Sequence, residues 1–175
     1  MRYVSTRGLV RPHSFEEVLL AGLAGDGGLF VPETWPRLAR EELVALARCD
    51  YPETAARILV PFVGHSFSFA ELLDICREAY AGFAHAAIAP LVQLAANDWL
   101  LELFHGPTLA FKDFALQVLG RMFERVLRRS DRFLTILGAT SGDTGSAAIH
   151  ALAGRERIAL VILHPHERIS PVQRR

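Results

Sequence analysis

Of the 19 basic residues in this chain of 175, 18 are arginine and one, Lys112, is lysine. Arginine replaces lysine in most surface roles, because both carry a charge on a long stem. It does not replace lysine as a nucleophilic amine, because the guanidinium stays protonated. Retention of one lysine is consistent with amine chemistry; the competing reading is a residue that survived a compositional bias. Its setting is Phe104-His105-Gly106-Pro107-Thr108-Leu109-Ala110-Phe111-Lys112-Asp113-Phe114. Burial among Leu109, Ala110, Phe111 and Phe114 disfavours the charged form of an amine, and Schiff-base formation needs the neutral form. The alternative is an exposed lysine at a helix start with aromatics packed behind it. Asp113 is expected in the first helical turn, where a carboxylate suits the dipole. It is not expected to pair with Lys112, since adjacent helical residues point in different directions.

A second segment, Gly138-Ala139-Thr140-Ser141-Gly142-Asp143-Thr144-Gly145-Ser146-Ala147-Ala148, follows an apolar strand and opens a helix. Backbone N–H groups at a helix start bind anions such as carboxylate or phosphate. Gly142 and Gly145 allow close approach, and the hydroxyls of Thr140, Ser141 and Thr144 add donors. The spacing is neither the dinucleotide fingerprint nor the Walker loop. A plain capping turn is the alternative. Other chemistries find less support. Asp113 and Asp143 have no known separation that would make them a glycosidase pair. His105 is a single loop histidine, read as structural. Ser141 lacks the Gly-x-Ser-x-Gly surroundings of a nucleophile elbow. Cys49 and Cys76 have no metal-ligand spacing and are too few for a disulfide framework, so no metal is expected and a reducing compartment fits best.

The elements that must position these residues fall into two groups. Up to about residue 80 the pattern is mostly helical. Ser14-Phe15-Glu16-Glu17 is a capping box opening a helix that Gly25-Asp26-Gly27-Gly28 ends. Leu29-Phe30-Val31 is extended. Glu41 to Arg48 and Glu53 to Val63 read as helices, with Pro52 at a start and Pro61 limiting an end. A second box, Ser68-Phe69-Ala70-Glu71, opens a helix through Tyr80. Beyond Pro90, Leu91–Leu94 and Trp99–Phe104 read as strands around an Asn97-Asp98 turn. Asp113 to Arg129 is a long helix, with Phe114, Val118, Leu119, Met122, Phe123 and Val126 at helical spacing. Arg132–Leu137 and Ile158–Leu163 read as buried strands flanking a loop over 138–143 and a small-residue helix from Thr144 to Leu152. Strand, loop, helix, strand with continuous apolar strands predicts a parallel α/β sheet. The fold class expected is therefore α/β, with a mostly helical subdomain over 1–85 and the start of a parallel-sheet domain over 86–175. Two or three strands make a small sheet, so the chain is expected to be cut short.

Composition is that of a soluble globular protein, at 51% hydrophobic and 22% charged residues. Zero formal net charge gives no support for a nucleic-acid partner. Arg125, Arg128, Arg129 and Arg132 cluster at the end of the long helix, where cations complement the dipole; a solvated helix end is favoured there over a binding patch. The N-terminus lacks the apolar core of a signal peptide, and no apolar run is long enough to span a membrane. A cytoplasmic location is the default.

The lysine segment, His105 through Gln117, closely resembles the cofactor-lysine segment of threonine synthases. Ala139 through Ala148 resembles a second signature of that family. The opening Tyr3-Val4-Ser5-Thr6-Arg7-Gly8, then Asp26-Gly27-Gly28-Leu29-Phe30-Val31-Pro32-Glu33, continues the likeness, as does the end, from His164-Pro165 to Ile169-Ser170-Pro171-Val172-Gln173. The resemblance implies a fold-type II enzyme dependent on pyridoxal 5'-phosphate (PLP) that converts O-phospho-L-homoserine and water to L-threonine and phosphate. It implies that Lys112 holds the cofactor covalently and later moves protons as a base. Asp143 then faces the cofactor's phenolic oxygen, where related enzymes usually have asparagine. Thr140, Ser141, Gly142 and Thr144 become candidates for the substrate carboxylate and phosphate. Members of the family are longer, with a glycine-rich phosphate loop further along, so this chain alone is expected to be inactive. Two other readings stand beside this one: a threonine-synthase-like phospho-lyase acting on a related amino-acid phosphate, and a non-enzymatic truncated module whose open sheet edge invites pairing. Oligomeric state is not legible.

Overall fold

A computed structural model describes residues 1–166 and 168. The chain is α/β and divides into two compact units, Met1–Arg77 and Glu78–Arg175.

In the first unit, β1 (Tyr3–Ser5) pairs antiparallel with β2 (Phe30–Pro32), with Val4 opposite Val31. The helices α1 (Phe15–Ala21), α2 (Arg40–Leu46) and α3 (Tyr51–Val63) follow, and α4 (Phe69–Tyr80) carries the chain across the division. Both capping boxes form. Ser14 and Glu17 exchange side-chain and backbone hydrogen bonds, and Ser68 does the same with Glu71. Several boundaries differ from those the sequence predicts, with local causes. Helix α1 stops at Ala21, because Gly22 turns to φ 70 and returns its N–H to Val18. Gly25 to Gly28 is a separate turn tied by Asp26, whose carboxylate accepts from Ser5 Oγ (2.7 Å), Gly28 N (2.9 Å) and Leu9 N (3.1 Å). Helix α2 starts at Arg40, with the Glu42 carboxylate accepting the Ala39 N–H at 2.6 Å. Helix α3 starts at Tyr51 under an Asp50 cap and ends at Val63 as expected, with Pro61 inside its last turn. The Tyr3 hydroxyl, donating to Phe62 O at 2.9 Å, and a Tyr3–Phe15–Phe67 ring series tie the sheet to the helices.

In the second unit, a hairpin of β3 (Leu91–Gln93) and β4 (Trp99–Leu101) comes first. It is shorter than its apolar run at both strands, and all six residues are exposed. Next come α5 (Asp113–Ser130), β5 (Leu134–Ala139), α6 (Asp143–Leu152) and β6 (Ile158–Leu163). Strands β5 and β6 are parallel, in the register Leu134↔Ile158 through Ala139↔Leu163. Strand β5 lies two residues later than expected. Asp131 closes α5 in the left-handed region, and pairing begins where the Leu134 N–H meets Arg157 O. Gly138 and Ala139 therefore belong to the strand, and the loop shrinks to 140–142. The two strands were expected to be buried on both faces. Instead they alternate half-buried and exposed, with Leu137 67% exposed, because among the described residues helices cover one face only. Helix α6 packs on β6, and α5 on α6. Gly120 makes the close crossing possible, since a Cβ there would lie 2.5 Å from Ala151 O. The arginines at the end of α5 meet carboxylates: Arg125 meets Glu78 at 2.8 Å, and Arg128 meets Glu124 and Glu156 at 3.1 and 3.0 Å. Those partners support the solvated helix end over a binding patch. Among the described residues no helix is long and apolar enough to cross a membrane.

Candidate active site

Lys112 is the residue that enters α5, and Asp143 is the first residue of α6. The fold brings these two helix starts together within the second unit. Lys112 Nζ donates to Asp143 Oδ2 at 2.8 Å and lies 4.5 Å from the centre of the Phe111 ring. Asp143 gains the most from this contact. The Lys112 hydrogen bond is the largest of the influences that hold its carboxyl below the usual range. The Lys112 charge and the N–H groups of Thr144 and Asp143 add to it, and partial desolvation opposes it. The sequence leaves two settings open, an amine buried among apolar neighbours and an exposed lysine at a helix start, and the structure lies nearer the second. Ala110 is buried, but Leu109 and Phe111 are 71% and 60% exposed and the Lys112 side chain is 25% exposed. A carboxylate and one ring face are the amine's neighbours there.

The loop before α6 brings the other predicted residues beside this pair. Thr140 N donates to Leu163 O at 2.9 Å, continuing the parallel ladder. Its hydroxyl turns into the loop and accepts the Gly142 N–H at 3.3 Å. Gly142 caps α6 without a side-chain bond. Ser141 and Thr144 are exposed. Gly145 lies under the loop, where a Cβ would come 2.8 Å from Thr140 Cγ2. The result is a helix start without an N-cap side-chain bond, whose first N–H groups face the Asp143 carboxylate beside the Lys112 ammonium. The matched tail over Ile169–Gln173 lies outside the described residues.

Two features of the lysine turn were not legible in the sequence. Asp113 does lie in the first turn of α5, but its side chain is fully buried and reaches backwards. It accepts from Thr108 N and Thr108 Oγ1, both at 2.8 Å. Gly106 packs against it so closely that a Cβ would overlap the carboxylate. The spacing Thr108 to Asp113 was the available signal, since a short polar side chain often bonds a nearby backbone group. His105 is the other feature. Its Nε2 meets Glu102 Oε2 at 2.6 Å, its ring lies 5.0 Å from that of His85, and its carbonyl accepts the Ala84 N–H. These contacts anchor the start of the turn. Gln117 meets His150 at 2.9 Å, linking α5 to α6 further along both helices. Among the described residues no group of histidine, cysteine, aspartate and glutamate has the geometry to hold a metal ion.

Comparison with known proteins gives consistent matches. A family model described as the threonine synthase N terminus matches residues 2–80. The threonine synthase of Pseudomonas aeruginosa is 54% identical over the whole chain, and that of Schizosaccharomyces pombe 44% identical over 98% of it. A crystal structure of PLP-bound threonine synthase from Brucella melitensis superposes with a TM-score of 0.95 at 51% identity, covering 99% of this chain. The chain spans 37% of the length of the Pseudomonas and Brucella proteins and 35% of the Schizosaccharomyces one.

Proposed function

We propose that the chain belongs to the threonine synthase family and carries the lysine-bearing part of a PLP-dependent lyase that forms L-threonine and phosphate from O-phospho-L-homoserine and water. The observation that carries the reading is the Lys112–Asp143 pair at 2.8 Å, set between two helix starts. The donor set fits the cofactor: a part-exposed primary amine with a carboxylate within hydrogen-bond reach, beside the hydroxyls of Ser141 and Thr144. When bound, PLP supplies an electron sink for carbanions of amino-acid substrates. Lys112 and Asp143 are the residues here that would hold it.

The chain's own residues divide the remaining work. Lys112 Nζ is the only side-chain amine available and holds or releases the proton that the reaction moves. Asp143 Oδ2 orients that amine. At the start of α6 the hydroxyls of Ser141 and Thr144 offer donors for a substrate carboxylate or phosphate, with Gly142 leaving room for close approach. Thr140 keeps the loop in shape by accepting the Gly142 N–H. We assign residues 1–85 to an N-terminal subdomain and 86–175 to part of a fold-type II PLP-binding domain. A cytoplasmic location accompanies this reading, supported by the two free thiols. The test uses a polypeptide of the relatives' length that contains this chain. Threonine and phosphate form from O-phospho-L-homoserine, and Lys112→Ala lowers turnover about a thousandfold or more. A Lys112→Ala protein that keeps about a tenth of the parent turnover or more contradicts the assignment.

A further inference from the structure

The turn from Gly106 to Lys112 holds an unusual conformation with little packing to explain it. Leu109 has φ 62, in the left-handed region that side-chain-bearing residues avoid. Its side chain is largely exposed, so no buried contact offsets the strain. Such strain persists when surrounding interactions over-determine the backbone, and it clusters at functional sites. The over-determining group is Asp113. A buried carboxylate is costly unless it is hydrogen-bonded, and both oxygens of Asp113 accept from Thr108. The ring closed by these bonds runs from Thr108 to Asp113 and encloses Leu109, Ala110, Phe111 and Lys112. Gly106, without a Cβ, packs on the carboxylate from the other side and accepts the Leu109 N–H at 3.1 Å. Neighbours in sequence thus face opposite ways: Asp113 inward to the clasp, Lys112 outward to Asp143.

We propose that Asp113 is a positioning residue for Lys112, its buried carboxylate clasping Thr108 so that the strained turn presents the lysine amine to Asp143 and the uncapped start of α6. The proposal rests on the reading of Lys112 as the reacting amine. It adds that the amine's placement is set by its sequence neighbour rather than by apolar packing.

The test is reductive dimethylation of the 175-residue chain with formaldehyde and cyanoborohydride, located by peptide mass. Lys112 is the only lysine, and the Met1 α-amino group is an internal reference. A hydrogen bond to a charged group is strong enough that its loss shifts a clasped-to-open ratio about tenfold or more. Asp113→Asn and Thr108→Val are therefore expected to raise the Lys112-to-Met1 labelling ratio about threefold or more, with Thr108→Ser, which keeps the hydroxyl, matching the parent. Val126→Ala, at a fully buried core position of α5, is the control for lost stability and leaves the ratio unchanged. As a second readout, PLP trapped on Lys112 by borohydride falls in the two clasp variants. Should the parent, within a polypeptide of the relatives' length, trap no PLP on Lys112, the reading of Lys112 fails, while the labelling ratio still decides the clasp. An unchanged ratio in Thr108→Val and in any folded Asp113→Asn overturns the proposal. So does a rise in Val126→Ala equal to theirs, or a Thr108→Ser chain that behaves like Thr108→Val.

Discussion

Replacing Gly106 by alanine probes the lysine turn with a single methyl group. A Cβ at that position would overlap Asp113 Oδ2, lie 2.6 Å from Asp113 Cβ and 2.9 Å from its Cγ. All three atoms belong to a fully buried side chain at the start of an 18-residue helix, so the neighbour cannot swing into solvent. Either the methyl is forced in, at about 1–3 kcal/mol for overpacking, or Asp113 moves and gives up its bonds to Thr108, each worth about 1.5–3 kcal/mol when the acceptor is charged. Partial relaxation along both routes gives a destabilisation of about 3–5 kcal/mol. For a chain of this size that lowers the melting temperature by about 6–20 °C. Thermal unfolding followed by circular dichroism measures it, with guanidinium titration as a check on reversibility. A Gly106→Ala chain that melts within about 1 °C of the parent refutes the close packing of Gly106 on Asp113 and the clasp built on it.

Three further outcomes follow from the same geometry. Gly120→Ala places a methyl 2.5 Å from the Ala151 carbonyl, a backbone group that cannot rotate away, and is expected to cost about 2–3 kcal/mol in urea unfolding; a neutral result contradicts the α5–α6 crossing. The Glu17 carboxyl is held down to about 2, first by the Ser14 backbone N–H and then by Arg11 and the Ser14 hydroxyl. Its folded value lies below the ordinary 4.5, so its stabilising effect is complete above that value and is lost as pH falls through about 2. An NMR titration of Glu17 checks this, and Ser14→Ala raises the midpoint; an ordinary midpoint in the parent sinks the capping account. Burial pushes the Cys76 thiol up to about 11, whereas Cys49 is part-exposed. A thiol reagent at neutral pH is expected to modify Cys49 first and Cys76 only on unfolding, and equal native rates contradict the packing of α4.

Much of the architecture was legible because its signals are local. Two capping boxes, Asp113 to Arg129 at helical spacing, and two apolar strands around a small-residue helix each depend on neighbours within a few positions. The boundaries that moved did so for reasons outside such windows. Gly22 stops α1 by its own left-handed backbone, and Asp131 shifts the start of β5. The exposed alternate residues of β5 and β6 could not be foreseen, since an apolar run states what a strand needs covered and not what covers it. At the site, the types of Lys112 and Asp143 were informative, but their 2.8 Å approach depends on two helix starts 31 residues apart in sequence. Asp113 shows the same limit in reverse. Its place in a first turn was readable, whereas its reach back to Thr108 depends on the left-handed turn at Leu109.

The central claim is that Lys112 is the amine that holds PLP. The most direct test adds PLP to the purified chain, reduces with borohydride and maps the adduct by mass, in parallel with Lys112→Ala. The account predicts a pyridoxyl mass on the Lys112 peptide together with a near-visible absorbance band, both lost in the variant. An adduct confined to the Met1 α-amino group, or one of equal yield in Lys112→Ala, would contradict it.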